Sequence, residues 1–346
     1  MTELFEGAGA DVPRPTLSVI IPVFNEEQIL PELYQRLTRC LQALGLSYEI
    51  IVIDDGSTDR SGELLERLVT TDSHVRLIQL SRNFGQAVAV TAGLDVAAGE
   101  LVALMDGDLQ DPPEDMPKLV ATVQAGYAVA YAIRVKRKES VLKRAAVFLF
   151  YRLLNRIAST PLPVDSGLFC VMTRQVVEAL KQLPERSRYV SGLRAWVGFK
   201  QCGVPLERTA RRAGRSKSLA KLLRMAVDGL VSFSYVPLRL ATVVGVSTAL
   251  LSIGGMVWAL YLRLFTTDPP SGWASTVLFI LFIGSIQLLA LGVIGEYIGR
   301  VLDEVKGRPL YVVKRCVGFS SSEEGGGYGA EGPHADRARR SPIQAG

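Results

Sequence analysis

Three residues able to hold a cation on phosphate, Asp106, Asp108 and Gln110, stand with a third aspartate, Asp111, in "LMDGDLQDPPE" (104–114). Two carboxylates one residue apart repel, and each would rather be protonated unless a cation sits beside them. A hard divalent ion, Mg2+ or Mn2+, takes oxygen ligands and leaves positions for phosphate oxygens, so Asp106 and Asp108 with Gln110 suit a metal holding a diphosphate. The alternative is a solvated turn in which Asp111 caps a helix that Pro112 and Pro113 begin. A second acidic stretch, "DDGSTD" (54–59), brings Asp54 and Asp55. An ionised carboxylate only accepts, so either can take the N3–H of a pyrimidine, with Gly56, Ser57 and Thr58 making the turn behind them. In "PVFNEE" (22–27), Glu26 offers a ribose or base contact, or serves only as a helix-start acid.

Each polar stretch follows a short apolar run. Strands are expected at 17–23, 48–54, 75–81 and 101–106, with helices over 29–44, 61–69 and 87–97 between them. Short β-branched runs alternating with helices imply an α/β, mostly parallel sheet with right-handed crossovers. Such sheets bind ligands at the carboxyl ends of their strands, which is where "PVFNEE", "DDGSTD", "SRNFGQ" (81–86) and "DGDLQDPPE" fall.

The carboxyl-terminal half differs. Residues 240–262 and 273–295 are two 23-residue stretches without a charge. At about 1.5 Å per residue each reaches roughly 34 Å, enough for a bilayer core, and buried core helices are the competing reading. Basic residues flank the pair (Lys217, Lys221, Arg224 and Arg239 before it, Arg300, Lys306 and Arg308 after it), while the loop between holds only Arg263. That bias expects two spans with the large amino-terminal part and both termini cytosolic. Residues 217–233 carry Lys217, Lys221, Arg224 and Asp228 on one face and leucines on the other, as an interfacial helix would, and 140–157 is a second basic-apolar stretch. The expected divisions are a disordered tail (1–15), a cytosolic domain (16–216), an interfacial helix (217–238), two membrane helices (239–300), a return segment (301–319) and a second tail (320–346).

Composition excludes other classes. The net charge is +5, and the four cysteines and two histidines are scattered without metal-ligand or disulfide spacing. No aromatic-basic module for nucleic acid is present.

Taken together, "LSVIIPVFNEE", "IIVIDDGSTD", "LSRNFGQ", "MDGDLQDPPE", "VDSGLF" (164–169), "RTARRAGRSKSLAKLLRM" (208–225) and "GEYIGR" (295–300) resemble the inverting family 2 glycosyltransferases of the GT-A fold, and among them the polyprenyl-phosphate glycosyltransferases. The resemblance covers roughly residues 17–315. It implies a Rossmann-like sheet, a nucleoside-diphosphate sugar donor, Mg2+ or Mn2+, and transfer to a polyprenyl phosphate at the cytosolic face of a bacterial inner membrane. Carried over position by position, Pro22, Phe24, Glu26, Ile53, Asp54 and Asp55 would line the nucleotide, and Asp106 and Gly107 the nucleotide-sugar. Asp108 and Gln110 would hold the metal. Arg134 and Arg137 would grip donor phosphates or the acceptor, Asp165 matches the residue usually assigned as base, and Arg208, Arg212, Arg215 and Lys217 would clamp the lipid phosphate.

The implied reaction makes a polyprenyl-monophosphate-sugar from UDP-glucose and undecaprenyl phosphate for cell-envelope glycan modification. A UDP-aminoarabinose derivative, UDP-GlcNAc and GDP-mannose are the alternative donors. A polysaccharide synthase and a nucleotide-binding membrane scaffold are the alternative functions. Expected partners are the bilayer, a second copy packing through small-residue-rich spans, a flippase and a downstream glycosyltransferase. The chain departs from the family pattern where Leu168 and Cys170 replace an acid and an arginine, and where "GRSKS" replaces "GESKY".

Overall fold

The computed structural model describes residues 14–134, 166–186, 188–207, 236–265 and 272–319. Eight strands form one sheet in the order β7-β5-β6-β4-β1-β2-β3-β8. The strands β1 (Leu17–Val23), β2 (Tyr48–Asp54), β3 (Val75–Leu80) and β4 (Leu101–Leu104) are parallel, with β1 between β2 and β4. All seven residues of β1 are buried. Its sequence, "LSVIIPV", is nearly unbroken in apolar residues because helices cover both faces of the sheet.

On one face lie α1 (Leu30–Leu44), α2 (Ser61–Thr71) and α4 (Met116–Gln124), packed on Leu17, Val19, Ile21 and Val23. Helix α1 buries a stripe of Leu30, Leu33, Leu37, Cys40 and Leu41, and ends where Gly45 turns left-handed at φ 65°. The other face carries α3 (Gln86–Val96), α5 (Arg174–Lys181) and α6 (Val190–Trp196), packed on Ile20, Ile53 and Leu104. Helix α3 has no polar stripe: Ala89 to Leu94 are all buried, and the absent side chain of Gly93 lets it lie on Ile20 and Ile53.

The remaining strands are β5 (Val129–Arg134), β6 (Ser166–Thr173), β7 (Gln201–Leu206) and β8 (Val313–Val317). Strand β6 runs antiparallel between β4 and β5, β7 runs parallel to β5, and β8 runs antiparallel to β3. Two features go beyond the expected elements. Residues 166–169 of "VDSGLF" open β6, and Phe169 is fully buried. The return segment after the apolar helices contributes β8 to the sheet, which no apolar periodicity announced.

The chain falls into two compact units, the sheet with α1–α6 and the helical pair, and it rejoins the sheet unit at Gly307. The pair consists of α7 (Val236–Phe265) and α8 (Trp273–Val305), which pack on each other. Half-buried Ile283, Ile286, Ala290, Val293 and Tyr297 of α8 succeed one another at steps of three and four, the spacing of a helix–helix seam. Away from that seam apolar side chains face outward, with Leu251, Phe265, Leu288 and Leu289 more than 70% exposed. Of the two expected spans, one stretch among the described residues, Phe282–Val305, is long and apolar enough to cross a membrane (mean hydropathy 1.5); the apolar stretch of α7, Ala241–Gly255, is shorter. The expected interfacial helix falls outside the described residues except for its last turn, which begins α7. The stretch 140–157 and nearly all of both tails also lie outside them.

Candidate active site

Because β1 is flanked by β2 on one side and β4 on the other, the chain winds in opposite directions from it, and a crevice opens at the carboxyl ends of these strands. The other strands bring further segments to that edge. Arg134, the last residue of β5, pairs with Leu206 at the end of β7, and Ser166 at the start of β6 pairs with Ile133. The chain therefore leaves toward 135, returns from 165 and leaves toward 208 at one edge. Arg137, Asp165, Arg208, Arg212, Arg215 and Lys217 lie outside the described residues.

The first two loops are stitched to each other. The Asn25, Glu26 and Glu27 N–H groups donate to Ser57 Oγ (3.1 Å), Ser61 Oγ (3.0 Å) and Asp59 Oδ2 (3.2 Å). In return, the Thr58 and Arg60 N–H groups donate to Asn25 Oδ1 (2.8 Å) and Glu27 Oε2 (3.0 Å). Burial pushes the Asp59 carboxyl up, but its bonds from Ser61 and Glu27 outweigh that and hold it below the usual range. Asn25, Glu27, Ser57, Asp59 and Ser61 thus fix the loops that present Phe24, which is 43% exposed, and half-buried Glu26.

The second loop is tied to the third through Asp55. Its Oδ1 and Oδ2 accept the Phe84 (2.7 Å) and Gly85 (2.9 Å) N–H groups at the entry to α3. Burial raises its pKa, as does the neighbouring Asp54, while the two N–H bonds and Arg82 pull the other way. Gly56 has φ 69°, and a side chain there would meet Arg82 backbone carbon at 2.5 Å, so a left-handed turn and a close approach both require glycine. Asp54 is buried, and its Oδ1 accepts the Ser57 N–H (2.9 Å). Both carboxylates therefore organise loops before they meet any ligand. Ile53 is wholly buried under α3, and Pro22 beside it in the register is buried too.

In the fourth loop the Gln86 side-chain amide, in the first turn of α3, donates to Asp106 Oδ1. Asp108 Oδ1 accepts the Gln110 N–H (3.1 Å), and Gly107 lies against the Pro22 carbonyl, where an added Cβ would come to 3.2 Å. Between Asp108 and Gln110, Leu109 is buried with φ 54°. A bulky residue in that region costs about 1–3 kcal/mol, and such strain collects where a loop must aim functional groups. The loop is held from behind by α1: Arg36 donates from Nε and Nη2 to both oxygens of Glu114 (2.8 and 2.7 Å), and the Cys40 thiol donates to the Pro113 carbonyl (3.0 Å). Arg36 holds Glu114 below the usual carboxylate range, and burial pushes the Cys40 thiol up to about 11.

Asp111 is not the helix cap that its position before two prolines suggests. A 3-10 turn, Pro113–Asp115, leads into α4 with Pro112 preceding it, neither start has a side-chain cap, and Asp111 is itself buried. Pro113, not an aspartate, begins the turn, since its fixed φ suits the first position.

Among the described residues no three His, Cys, Asp or Glu side chains form a closed metal cage. The donor set fits an open site instead: carboxylates at Asp106 and Asp108 and the Gln110 side chain, all half-buried, leave positions for phosphate oxygens around a hard divalent ion. Sequence reading assigned no role to Gln86, Arg36 or Leu109, which position this loop, although the quoted "SRNFGQ" and "LMDGDLQDPPE" contain Gln86 and Leu109. Cys170, at the position where the family pattern has an arginine, lies fully buried against the guanidinium of Arg194 from α6, which also stacks on Tyr131 at 4.7 Å. The guanidinium there comes from a helix rather than from the strand.

The family model "Glycosyl transferase family 2" matches residues 18–181, and "GtrB C-terminal hairpin" matches 236–301. Over 306 residues the chain is 42% identical to "Uncharacterized glycosyltransferase YkcC" of Bacillus subtilis, covering 88% of this chain and 95% of that protein. It is 39% identical to the SfII prophage-derived bactoprenol glucosyl transferase of Shigella flexneri, covering 86% and 97%. It is 34% identical to the undecaprenyl-phosphate 4-deoxy-4-formamido-L-arabinose transferase of Yersinia pestis, covering 90% and 96%.

Proposed function

We propose that this chain, which belongs to glycosyl transferase family 2, transfers a single monosaccharide from a nucleoside-diphosphate sugar, UDP-glucose, to undecaprenyl phosphate at the cytosolic membrane face, with inversion. The observation that carries the reading is the edge where four laced loops present Asp106, Asp108 and Gln110 beside outward-facing polar groups, in a chain that continues into an apolar helical pair. The names of the bactoprenol and undecaprenyl-phosphate relatives support the lipid acceptor. Two spans, both termini in the cytosol and an inner-membrane location belong to the same reading.

Asp108 and Gln110 would hold Mg2+ or Mn2+, which when bound supplies positive charge to the leaving diphosphate. Gln86 donates to Asp106 and so orients the carboxylate that would face the donor. The strained Leu109 turn and the Arg36–Glu114 pair keep this geometry in place before substrate arrives, which is where preorganised electrostatics gains its advantage. Phe24 and Glu26 would border the nucleotide, with Arg134, Arg137, Arg208, Arg212, Arg215 and Lys217 assigned to the phosphates. A phosphate monoester loses its second proton near pH ~6, so the acceptor is already a dianion in the cytosol and Asp165 is assigned to orienting it rather than to taking a proton.

Purified protein incubated with undecaprenyl phosphate, Mg2+ and a panel of UDP- and GDP-sugars, with products read by mass spectrometry, tests the reading. A hexose-phosphate-undecaprenol formed best from UDP-glucose is the expected product. Nucleotide binding without glycolipid from any donor would overturn it.

A further inference from the structure

The sheet unit ends on a strand made of residues that come after the helical pair, and that strand adjoins the loop on which the edge depends. Strand β8 pairs antiparallel with β3, Leu77 opposite Val317 and Leu80 opposite Val313. Between Gln79 and Leu80 its register jumps from Arg315 to Val313, so Lys314 is an extra residue and the pair carries a bulge one step before the third loop. Bulges bend a strand end and re-aim the residues beyond it. Past the bulge the Ser81 N–H donates to the Val312 carbonyl (2.9 Å), which anchors the first residue of "SRNFGQ" to the returning chain. The contacts that loop makes for the site lie directly after Ser81: Arg82 backbone against Gly56, the Phe84 and Gly85 N–H groups on Asp55, and the Gln86 amide on Asp106.

The returning chain has anchors of its own on the sheet unit. Tyr311 donates its hydroxyl to Asp95 Oδ2 on α3 (2.8 Å), Arg315 donates to Glu66 Oε1 on α2 (3.1 Å), and Phe319 is buried with Arg76 over its ring at 5.5 Å. These contacts grip two helices on either side of β3. A strand needed only to cover an edge would not require its bulge to fall beside the loop that holds two site carboxylates.

We propose that β8 and its approach, Tyr311 to Val317, are a positioning element of the donor-nucleotide site, so that the site is assembled from chain on both sides of the helical pair. This rests on reading the edge as a donor site. Ser81, Tyr311 and Arg315 act through Asp55 and Asp106 and touch no substrate.

The test uses the full-length chain in detergent. Tyr311→Phe combined with Arg315→Ala loosens the strand without altering the loop, and Ser81→Pro deletes the N–H that donates to Val312. The expected result for both is a donor KM raised about fivefold with the acceptor KM unchanged, since each loses hydrogen bonds of ordinary strength. Amide exchange at Phe84 and Gly85 should quicken in both, while exchange in α1 does not. Unchanged exchange at those two amides, or equal rises in donor and acceptor KM, overturns the proposal. The exchange measurement needs no substrate, so it decides the role of β8 even if the chain proves to make no glycolipid. Should Ser81→Pro fail to fold, the double variant alone decides.

Discussion

A methyl group added at Gly56, Gly99 or Gly107 in the sheet unit would come within 3.2 Å of neighbouring atoms, and at Gly93 it would run into Ile20. At Gly245, Gly254, Gly292 or Gly299 in α7 and α8 it would meet nothing within 4 Å among the described residues. These glycines therefore mark finished close contacts in one unit and open space in the other. In the sheet unit most apolar side chains are covered by the chain itself, and at the edge Asp55 and Asp106 accept N–H groups from the third loop and the start of α3. In the helical pair large apolar side chains point outward, a surface that suits hydrocarbon or another helix better than water. One unit is completed by its own sequence; the other is written for an apolar surrounding.

The hardest blow to that contrast should come from the edge. Asp108→Ala removes a carboxylate from the open donor set, and a loss of about 10³-fold in kcat or more is expected, since charge stabilisation at a leaving group contributes heavily to catalysis. Gly254→Ala in α7 should leave turnover within about twofold, because none of the described residues occupies the added methyl's place. Transfer rates with saturating donor, measured in the same detergent, check both. A drop with Gly254→Ala as large as that with Asp108→Ala would mean that the helical pair takes part in the chemistry.

Stability offers the second comparison. Gly93→Ala puts a methyl group against Ile20 and 2.8 Å from Ile53 Cδ1, where α3 lies on the sheet. Overpacking of that kind costs about 1–3 kcal/mol, more than the ~1 kcal/mol that alanine gains over glycine in a helix. A lower melting temperature is expected for Gly93→Ala, and none for Gly254→Ala. An unchanged melting temperature in Gly93→Ala would show that α3 can lift off the sheet at no cost.

Much of this organisation was legible beforehand. The alternation of "LSVIIPV", "YEIIVID" and "VRLIQL" with helical stretches placed β1–β3 within a residue of their observed ends, because two-sided burial leaves an unbroken apolar run. Strand β8 was not legible: "VKRCV" sets two adjacent cations in a short run, and an edge strand needs no continuous apolar face. At the site, residue types pointed to Asp106 and Asp108, but not to what they do for the protein first. That Asp55 spends both oxygens on Phe84 and Gly85 depends on contacts between loops roughly thirty residues apart, and the burial of Asp111, which does not cap, likewise depends on its surroundings rather than on its neighbours in sequence. Gln86 escaped notice because a glutamine in a first helical turn has a local use that hides a distant one.

That last residue gives the third prediction. Gln86→Leu keeps the bulk of the side chain and removes the donor to Asp106. Because the bond is to a charged group, a loss of about tenfold in kcat/KM is expected, with the melting temperature nearly unchanged because Gln86 is exposed. Gln86→Glu, which sets a second anion against Asp106, should be worse than Gln86→Leu. Equal activities in the two variants would mean that Asp106 is oriented by something else.

The smallest effect concerns acid. Arg36 lowers the pKa of Glu114, so the unfolded chain takes up that proton at a higher pH than the folded one. The pair's contribution is then fully present above the ordinary glutamate value of about 4.3 and is lost as pH falls through the lower folded value. Asp55 acts with the opposite sign. Burial raises its pKa, so its ionisation works against the fold and the penalty grows as pH rises through that raised value. Because both groups titrate in acid, the melting temperature of the native chain alone would mix them. The difference between the native chain and Glu114→Gln removes Asp55 from the comparison: it should be small and positive at neutral pH, since Glu114 is half exposed, and should shrink toward zero below about pH 4. A difference that stays constant into acid would mean that Arg36 holds the "DPPE" segment through hydrogen bonds a neutral amide keeps, and that charge at the back of the fourth loop is incidental to its position.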